Sequence, residues 1–332
     1  MRRAATDTLN FLGPLATCAL RLLQSQGALI ALVLLVIFGG FRYDGFFSVY
    51  NIAAVLRYNS MFGLVALGMT FVILTGGIDL SVGSVAAFAS VVAALVSGYG
   101  QVVGLLVPML AGAAMGLLNG LIITRLHILP FITTLATLLA ARGLALLFAH
   151  NESVAVSYDS GFTTIGQGDV IGVPIPAIIM VLAFALGAVV LKFTRFGRNV
   201  LAVGGNQEAA RLMGLPVART KLLVYTGSGT LAGLAGVILA AQFGAGQPTE
   251  GLGWELSAIA SVVVGGTLLT GGMGTVWGSL VGATLLGLIF NVLNFENGMG
   301  VISLSAYWQS VIRGTFLLVV VVLQNKLSRL RR

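Results

Sequence analysis

Ten apolar blocks recur along this 332-residue chain, at about 26–40, 55–75, 81–98, 101–124, 129–149, 172–191, 221–242, 256–270, 276–294 and 305–324. This repetition constrains the fold more than any single motif. A helix of about 20 apolar residues crosses the hydrocarbon core of a bilayer. Backbone amides and carbonyls find no water there, so an open chain must bond them to itself, as a helix does. The expected fold is an all-α polytopic integral membrane protein with about ten transmembrane helices. It forms a single transmembrane domain over 1–332, embedded from about 26 to 324. The first and eighth blocks are short for a full span, which leaves a less tilted, extended or partly broken helix in each.

Composition narrows the function. Only 8% of the residues are charged and 58% are hydrophobic, against about 25% charged in a soluble domain. A soluble globule and a disordered chain are excluded. The single cysteine, Cys18, rules out a disulfide scaffold. The formal net charge of +8 does not point to nucleic acid, because the basic residues flank apolar blocks as orientation signals do. Two histidines, His127 and His150, make no zinc site by themselves, and no His/Asp/Glu or Ser/His group converges at one depth. No catalytic residue and no metal ligand is therefore expected. Many of the 45 glycines fall inside the apolar blocks, which predicts close helix packing through small residues.

Charge placement predicts orientation. With the N-terminus inside, 14 of the 18 Lys and Arg fall in cytoplasmic segments, among them Arg125, Lys192, Arg195, Arg198, Arg211, Arg219 and Lys221. Asp44, Glu152, Asp159, Asp169, Glu250, Glu255 and Glu296 fall outside. Ten spans with both termini cytoplasmic satisfy the positive-inside rule. The basic start lacks a small-residue cleavage site after the first apolar run, so an uncleaved first span is expected. Two connections are long: an outer loop at 150–171 and an inner loop at 192–220.

The inner loop carries the clearest local signal. Gly204-Gly205-Asn206 can end an extended approach and cap a short helix through Asn206. Gln207 to Met213 are good helix formers with Glu208 in the first turn, and Gly214 followed by Pro216 can end the helix. Leu212 and Met213 give this helix an apolar edge. Such an edge suits docking into a groove of a soluble protein, or resting on the lipid surface.

A second signal is an internal echo. LTGGIDLSVGS at 74–84 aligns without gaps to LTGGMGTVWGS at 269–279. Both copies fall at a tight turn between spans, so Gly76, Gly77, Gly271 and Gly272 are candidate gate residues. Transporters often contain repeats, and a Gly-rich composition also yields such matches by chance. Asp79, inside the first copy, can cap the helix after it and satisfy turn amides, or brace the gate against the inner loop.

Glu208-Ala209-Ala210-x-x-x-Gly214 resembles the EAA loop of ABC-importer permeases. The stretches GMTFVILTGGIDLSVGS (68–84), TRFGRNVLAVGGNQEAARLMG (194–214) and ELSAIASVVVGGTLLTGGMGTVWGS (255–279) resemble the ribose-type permease family, most closely its galactofuranose type. The resemblance is collinear from about residue 50 to the C-terminus. It implies an ABC-importer permease fold of the vitamin-B12-importer kind, in a bacterial inner membrane. It also implies a monosaccharide importer (galactofuranose, ribose or similar) built from two permease chains, two ATP-binding domains and a periplasmic sugar-binding protein. On this reading Gly205, Asn206, Glu208, Ala209, Ala210 and Gly214 couple the permease to the ATPase. The galactofuranose likeness favours a related second permease over a second copy. The sequence lacks a G-x-x-x-x-G-K-[ST] phosphate loop, so ATP and Mg²⁺ are expected on the partner ATPase, with no cofactor in this chain. A secondary sugar carrier is the alternative, but its usual intramembrane acidic relays are sparse here.

Within the spans, Arg142 and Arg313 are costly charges that should face protein or water. Both lie about 10–14 Å from the outer surface at 1.5 Å per residue. They could bond sugar hydroxyls or pair with Glu255 and Glu296. Asn59, Thr70, Asn119, Thr133, Thr134, Asn291 and Gln309 are polar candidates for a pathway, with Asn119 and Gln309 foremost. Trp254, Trp277, Trp308, Tyr43, Tyr50 and Tyr307 sit near span ends, as interfacial anchors do.

Overall fold

A computed structural model of the chain describes residues 14–298 with 308, 311, 314 and 315, and side chains from residue 27 on. The helices in order are α1 (Pro14–Arg42), α2 (Val49–Leu74), α3 (Val82–Val96), α4 (Gln101–Arg125) and α5 (Pro130–Phe148). There follow the one-turn α6 (Thr164–Gln167), then α7 (Ile175–Phe193), α8 (Arg195–Gly205), α9 (Gln207–Leu212), α10 (Val217–Phe243), α11 (Trp254–Val264) and α12 (Val276–Gly298). Among the described residues seven helices are long and apolar enough to cross a membrane, and Gly27–Arg42 and Trp254–Val264 are shorter apolar helices. Nine of the ten sequence blocks are thus seated in apolar helices. The tenth, 305–324, lies mostly outside the described residues, as do Gln309 and Arg313.

The two short blocks resolve differently. Block one extends into the 29-residue α1. Block eight breaks after Val264, and residues 265–275 run as turns with Gly266, Gly271 and Gly272 at positive φ.

The connections segregate to two ends. The end bearing α8 and α9 also holds the α2–α3, α4–α5 and α11–α12 turns. The opposite end holds the long connection after α5, where β1 (Val154–Ala155) pairs antiparallel with β4 (Ala245–Gly246), Val154 against Gly246. The pairing staples the 150–171 segment to the chain after α10. A second small hairpin, β2 (Asp169–Val170) with β3 (Val173–Pro174), leads into α7.

Helices α2, α3 and α10 form the buried centre. The tightest seam joins α4 to α10. A Cβ added at Gly112 would overlap the Gly229 carbonyl oxygen, one at Gly229 the Gly112 oxygen, and one at Gly116 the Tyr225 oxygen. These backbones touch because no side chain separates them, and van der Waals contact of this kind drives helix association where lipid removes the hydrophobic incentive. Leu106, Leu110, Leu139, Leu182 and Leu186 face outward on α4, α5 and α7, as a lipid-contacting surface requires. Two supposed interfacial anchors turn inward instead. Trp254 is buried against Phe62, ring centroids 4.6 Å apart. Tyr43 stacks on Phe295 and donates to Glu296 at 2.6 Å. Trp277 and Tyr50 remain exposed.

Candidate functional site

The α8–α9 segment is shaped by its caps. Thr194 accepts the Gly197 amide at 3.1 Å and starts α8. The approach to Asn206 is therefore helical, not extended: residues 195–205 are amphipathic enough to form α8 once Thr194 caps them. Asn206 then breaks the helix with extended backbone (φ −159°), and its side chain accepts the Ala209 amide at 3.0 Å. Glu208 occupies the first turn of α9, where the helix dipole favours a carboxylate. Gly214 ends the segment at φ +75°, a left-handed cap, and the Leu215 amide bonds back to the Ala210 oxygen at 3.0 Å. Ala210 is fully buried with Val203 and Val217 and anchors α9. Gln207, Glu208, Arg211, Leu212 and Met213 face outward. Leu212 is 82% exposed and Met213 69%, an apolar edge that only a partner or lipid would cover.

The two copies of the echo meet directly beside this segment. Each makes the same turn, Gly76 N–H to the Ile73 oxygen at 2.8 Å and Gly271 N–H to the Leu268 oxygen at 2.9 Å. These residues correspond at the 195-residue offset, and both glycines have positive φ, +76° and +84°. Gly272 N–H then donates across to the Leu74 oxygen at 3.0 Å. Gly204 closes the junction. A Cβ there would overlap the Leu74 oxygen and lie 2.5 Å from the Gly272 nitrogen. A Cβ at Gly271 would lie 2.7 Å from the Gly76 nitrogen and 3.1 Å from the Gly204 Cα. Gly77 sits under the Tyr225 hydroxyl. Sequence spacing identified the glycines but not their convergence.

Asp79, in the α2–α3 connection, is completely buried. It accepts the Ser81 amide at 3.0 Å and the Ser81 hydroxyl at 2.6 Å on one oxygen, and the Ser228 hydroxyl at 2.9 Å on the other. It therefore satisfies turn amides and also ties the connection to α10. Burial pushes its carboxyl above the usual range, and the bonds from Ser81 and Ser228 counter this. Asn119 extends the network: its amide donates to Ser81 Oγ at 3.1 Å and its oxygen accepts from Thr137. Asn119 is fully buried and its side chain is committed to these bonds. Ser81, Ser228 and Thr137 carry no sequence signal that separates them from other small polar residues in spans.

Arg142, half-buried, donates to the backbone oxygens of Pro248 and Glu250, which pins the 247–251 segment between α10 and α11. Glu255 lies near enough to act on it electrostatically. Glu296 is not its partner: that carboxylate takes Tyr43 and an ion pair with Arg42 at 3.7 Å. Of the other polar span residues, Thr70 bonds to the Ala66 oxygen of its own helix and Asn291 pairs with Asn51. Thr134 accepts the Leu80 amide at 3.1 Å. Thr133 and Thr137 are the two polar points of an otherwise apolar cleft of about 330 Å³ between α4 and α5.

Comparison with known proteins places this architecture. Ribose import permease protein RbsC of Bacillus subtilis (strain 168) is 41% identical over 309 residues, covering 92% of this chain and 94% of the relative. L-arabinose ABC transporter permease protein AraH of Azospirillum brasilense is 37% identical, covering 91% and 88%. Fructose import permease protein FruG of Bifidobacterium longum is 35% identical, covering 92% and 91%. No solved structure matches the chain. Residues 51–321 match the family described as branched-chain amino acid transport system / permease component. That match takes in both turns of the glycine junction and the whole of α9, and the chain belongs to this family of multi-pass transport permeases.

Proposed function

We propose that this chain is the membrane-spanning subunit of an ATP-driven importer for a monosaccharide, and that α9 is the element on which a separate ATPase subunit acts. The observation that carries the reading is α9 itself. It is capped at both ends, anchored by buried Ala210, and presents Leu212 and Met213 uncovered. A short rigid helix held this way moves as a unit when a partner grips its edge.

Orientation follows from charge. Arg125, Lys192, Arg195, Arg198, Arg211 and Arg219 are exposed at the α9 end, while Asp44, Glu152, Asp159, Asp169 and Glu250 are exposed at the other. The positive-inside rule assigns the α9 end to the cytoplasm and both termini with it. The membrane is the bacterial inner membrane, and the whole chain serves as one permease domain. ATP and Mg²⁺ belong to the ATPase, and this chain transports without catalysing. A second permease chain completes the pathway. A periplasmic sugar-binding protein docks at the opposite end, on the connections joined by the β1–β4 pairing. Nucleotide-driven displacement of α9 then alternates access to the two sides. The family description mentions branched-chain amino acids, but the relatives named above carry ribose, L-arabinose and fructose in their names, which supports a pentose or hexose as substrate.

The test is purification of the tagged chain from native membranes in mild detergent, followed by reconstitution. An ABC ATPase should accompany the wild-type chain and be lost with Leu212→Asp/Met213→Asp. Vesicles should take up labelled ribose, arabinose or galactose only with ATP and the binding protein. Recovery of this chain alone, moving sugar without ATP, would overturn the reading, and uptake of leucine in preference to sugar would overturn the substrate class.

A further inference from the structure

We infer that Gly204 is a positioning residue of the transport cycle, which links the displacement of α9 rigidly to both echo turns at once. The inference rests on the permease reading above and deepens it. Three separate stretches of backbone, 73–77, 204–205 and 268–273, touch without an intervening side chain. One hydrogen bond, Gly272 N–H to the Leu74 oxygen, joins the two turns, and Gly204 lies against both of its partners. A contact between side chains can absorb a small shift by changing rotamers. Backbone packed on backbone cannot, and close-packed interiors transmit such strain.

The consequence is geometric. Residues 204 and 206 belong to one short stretch of chain, so a displacement of α9 acts on Gly204 directly. Gly204 bears on the end of α2 through Leu74 and on the α11–α12 turn through Gly272. The α2–α3 connection continues into Asp79, which holds α10 through Ser228. The α11–α12 turn continues into α12, which packs on α2. One push at α9 therefore reaches two helix pairs through a single contact. Elements that absorb a conformational change are often small residues remote from the chemistry, and their replacement alters turnover.

Two helical glycines provide the test. A Cβ at Gly204 collides with backbone, whereas a Cβ at Gly227, in the middle of α10, meets nothing within 4 Å. The complete importer, with ATPase and binding protein, is reconstituted in nanodiscs and proteoliposomes. Basal ATPase, ATPase stimulated by liganded binding protein, and sugar uptake are then measured. Gly204→Ala should keep the ATPase subunit bound and basal turnover intact, yet lower stimulated turnover and uptake about tenfold. Gly227→Ala should stay within about twofold of wild type. Equal behaviour of the two variants overturns the inference alone. A wild-type chain without ATP-dependent uptake overturns the permease reading and the inference with it. If Gly204→Ala does not assemble, hydrogen exchange on the wild-type complex decides. Segments 73–77 and 268–273 should change protection together with 204–214 when ATP binds, and a change confined to 204–214 overturns the inference.

Discussion

Replacing Asp79 tests how the α2–α3 connection is held. Its carboxylate accepts three hydrogen bonds at 3.0, 2.6 and 2.9 Å in a fully buried setting. In Asp79→Ala, Ser228 can turn its hydroxyl back to its own helix, and Ser81 Oγ keeps the Asn119 amide. The Ser81 N–H has no such alternative. A stranded buried amide costs about 1–3 kcal/mol, and the vacated side-chain volume adds to that. The expected loss is about 2–4 kcal/mol, or roughly 3–6 °C in the melting midpoint for a chain of this size. Asp79→Asn keeps the shape. Its oxygen can take the Ser81 amide while its NH₂ donates to Ser228, and the cost of burying a charge with no cationic partner disappears. Its midpoint should fall within about 2 °C of wild type. The assay is thermal unfolding in a fixed detergent, followed by intrinsic fluorescence. An Ala variant as stable as wild type would refute the hydrogen-bond argument. An Asn variant as damaged as Ala would show that the charge itself is required.

Gly112→Leu should abolish a monodisperse peak on size exclusion, because its side chain would enter the Gly229 backbone at a cost of about 3 kcal/mol or more. Gly227→Ala, in open space on α10, should be neutral or slightly stabilising. Asn206→Ala removes the 3.0 Å cap bond and about 1 kcal/mol, so the Ala209 amide should exchange about five times faster. Gly214→Ala should cost about 1–2 kcal/mol from its φ of +75°, and Gly214→Asn less, which helicity and exchange over α9 can compare. Arg142→Ala releases the Pro248 and Glu250 oxygens, and protease should then cut within 247–253 faster than in wild type while α9 exchange is unchanged.

Much of the local structure was legible because its causes are local. Asn206 and Gly214 bound α9 as their types require, since a cap is a hydrogen bond across three residues and a left-handed φ is a property of one. The approach before Asn206 reads as extended because Gly204-Gly205 looks like a loop, whereas Thr194 caps a helix that runs through both. Trp254 and Tyr43 lie near span ends along the chain, as interfacial anchors do, yet partners on distant helices, Phe62 and Phe295, bury them. The echo was visible as a string. That its copies form matching turns and touch each other needed two segments almost 200 residues apart to be brought together.

By itself the sequence determined the membrane class and nearly all of the helices, because a bilayer leaves an apolar run no other way to satisfy its backbone. It also set the charge asymmetry and the caps of α9. Only the tertiary structure decided that Arg142 clamps the backbone of the 247–251 segment, that Asp79 and Asn119 close a buried network, and that Gly204 lies where both echo turns meet. Those outcomes depend on the rotation and depth at which each helix packs. Packing follows the fit of several surfaces at once, and small residues permit that fit without encoding which surface will meet them.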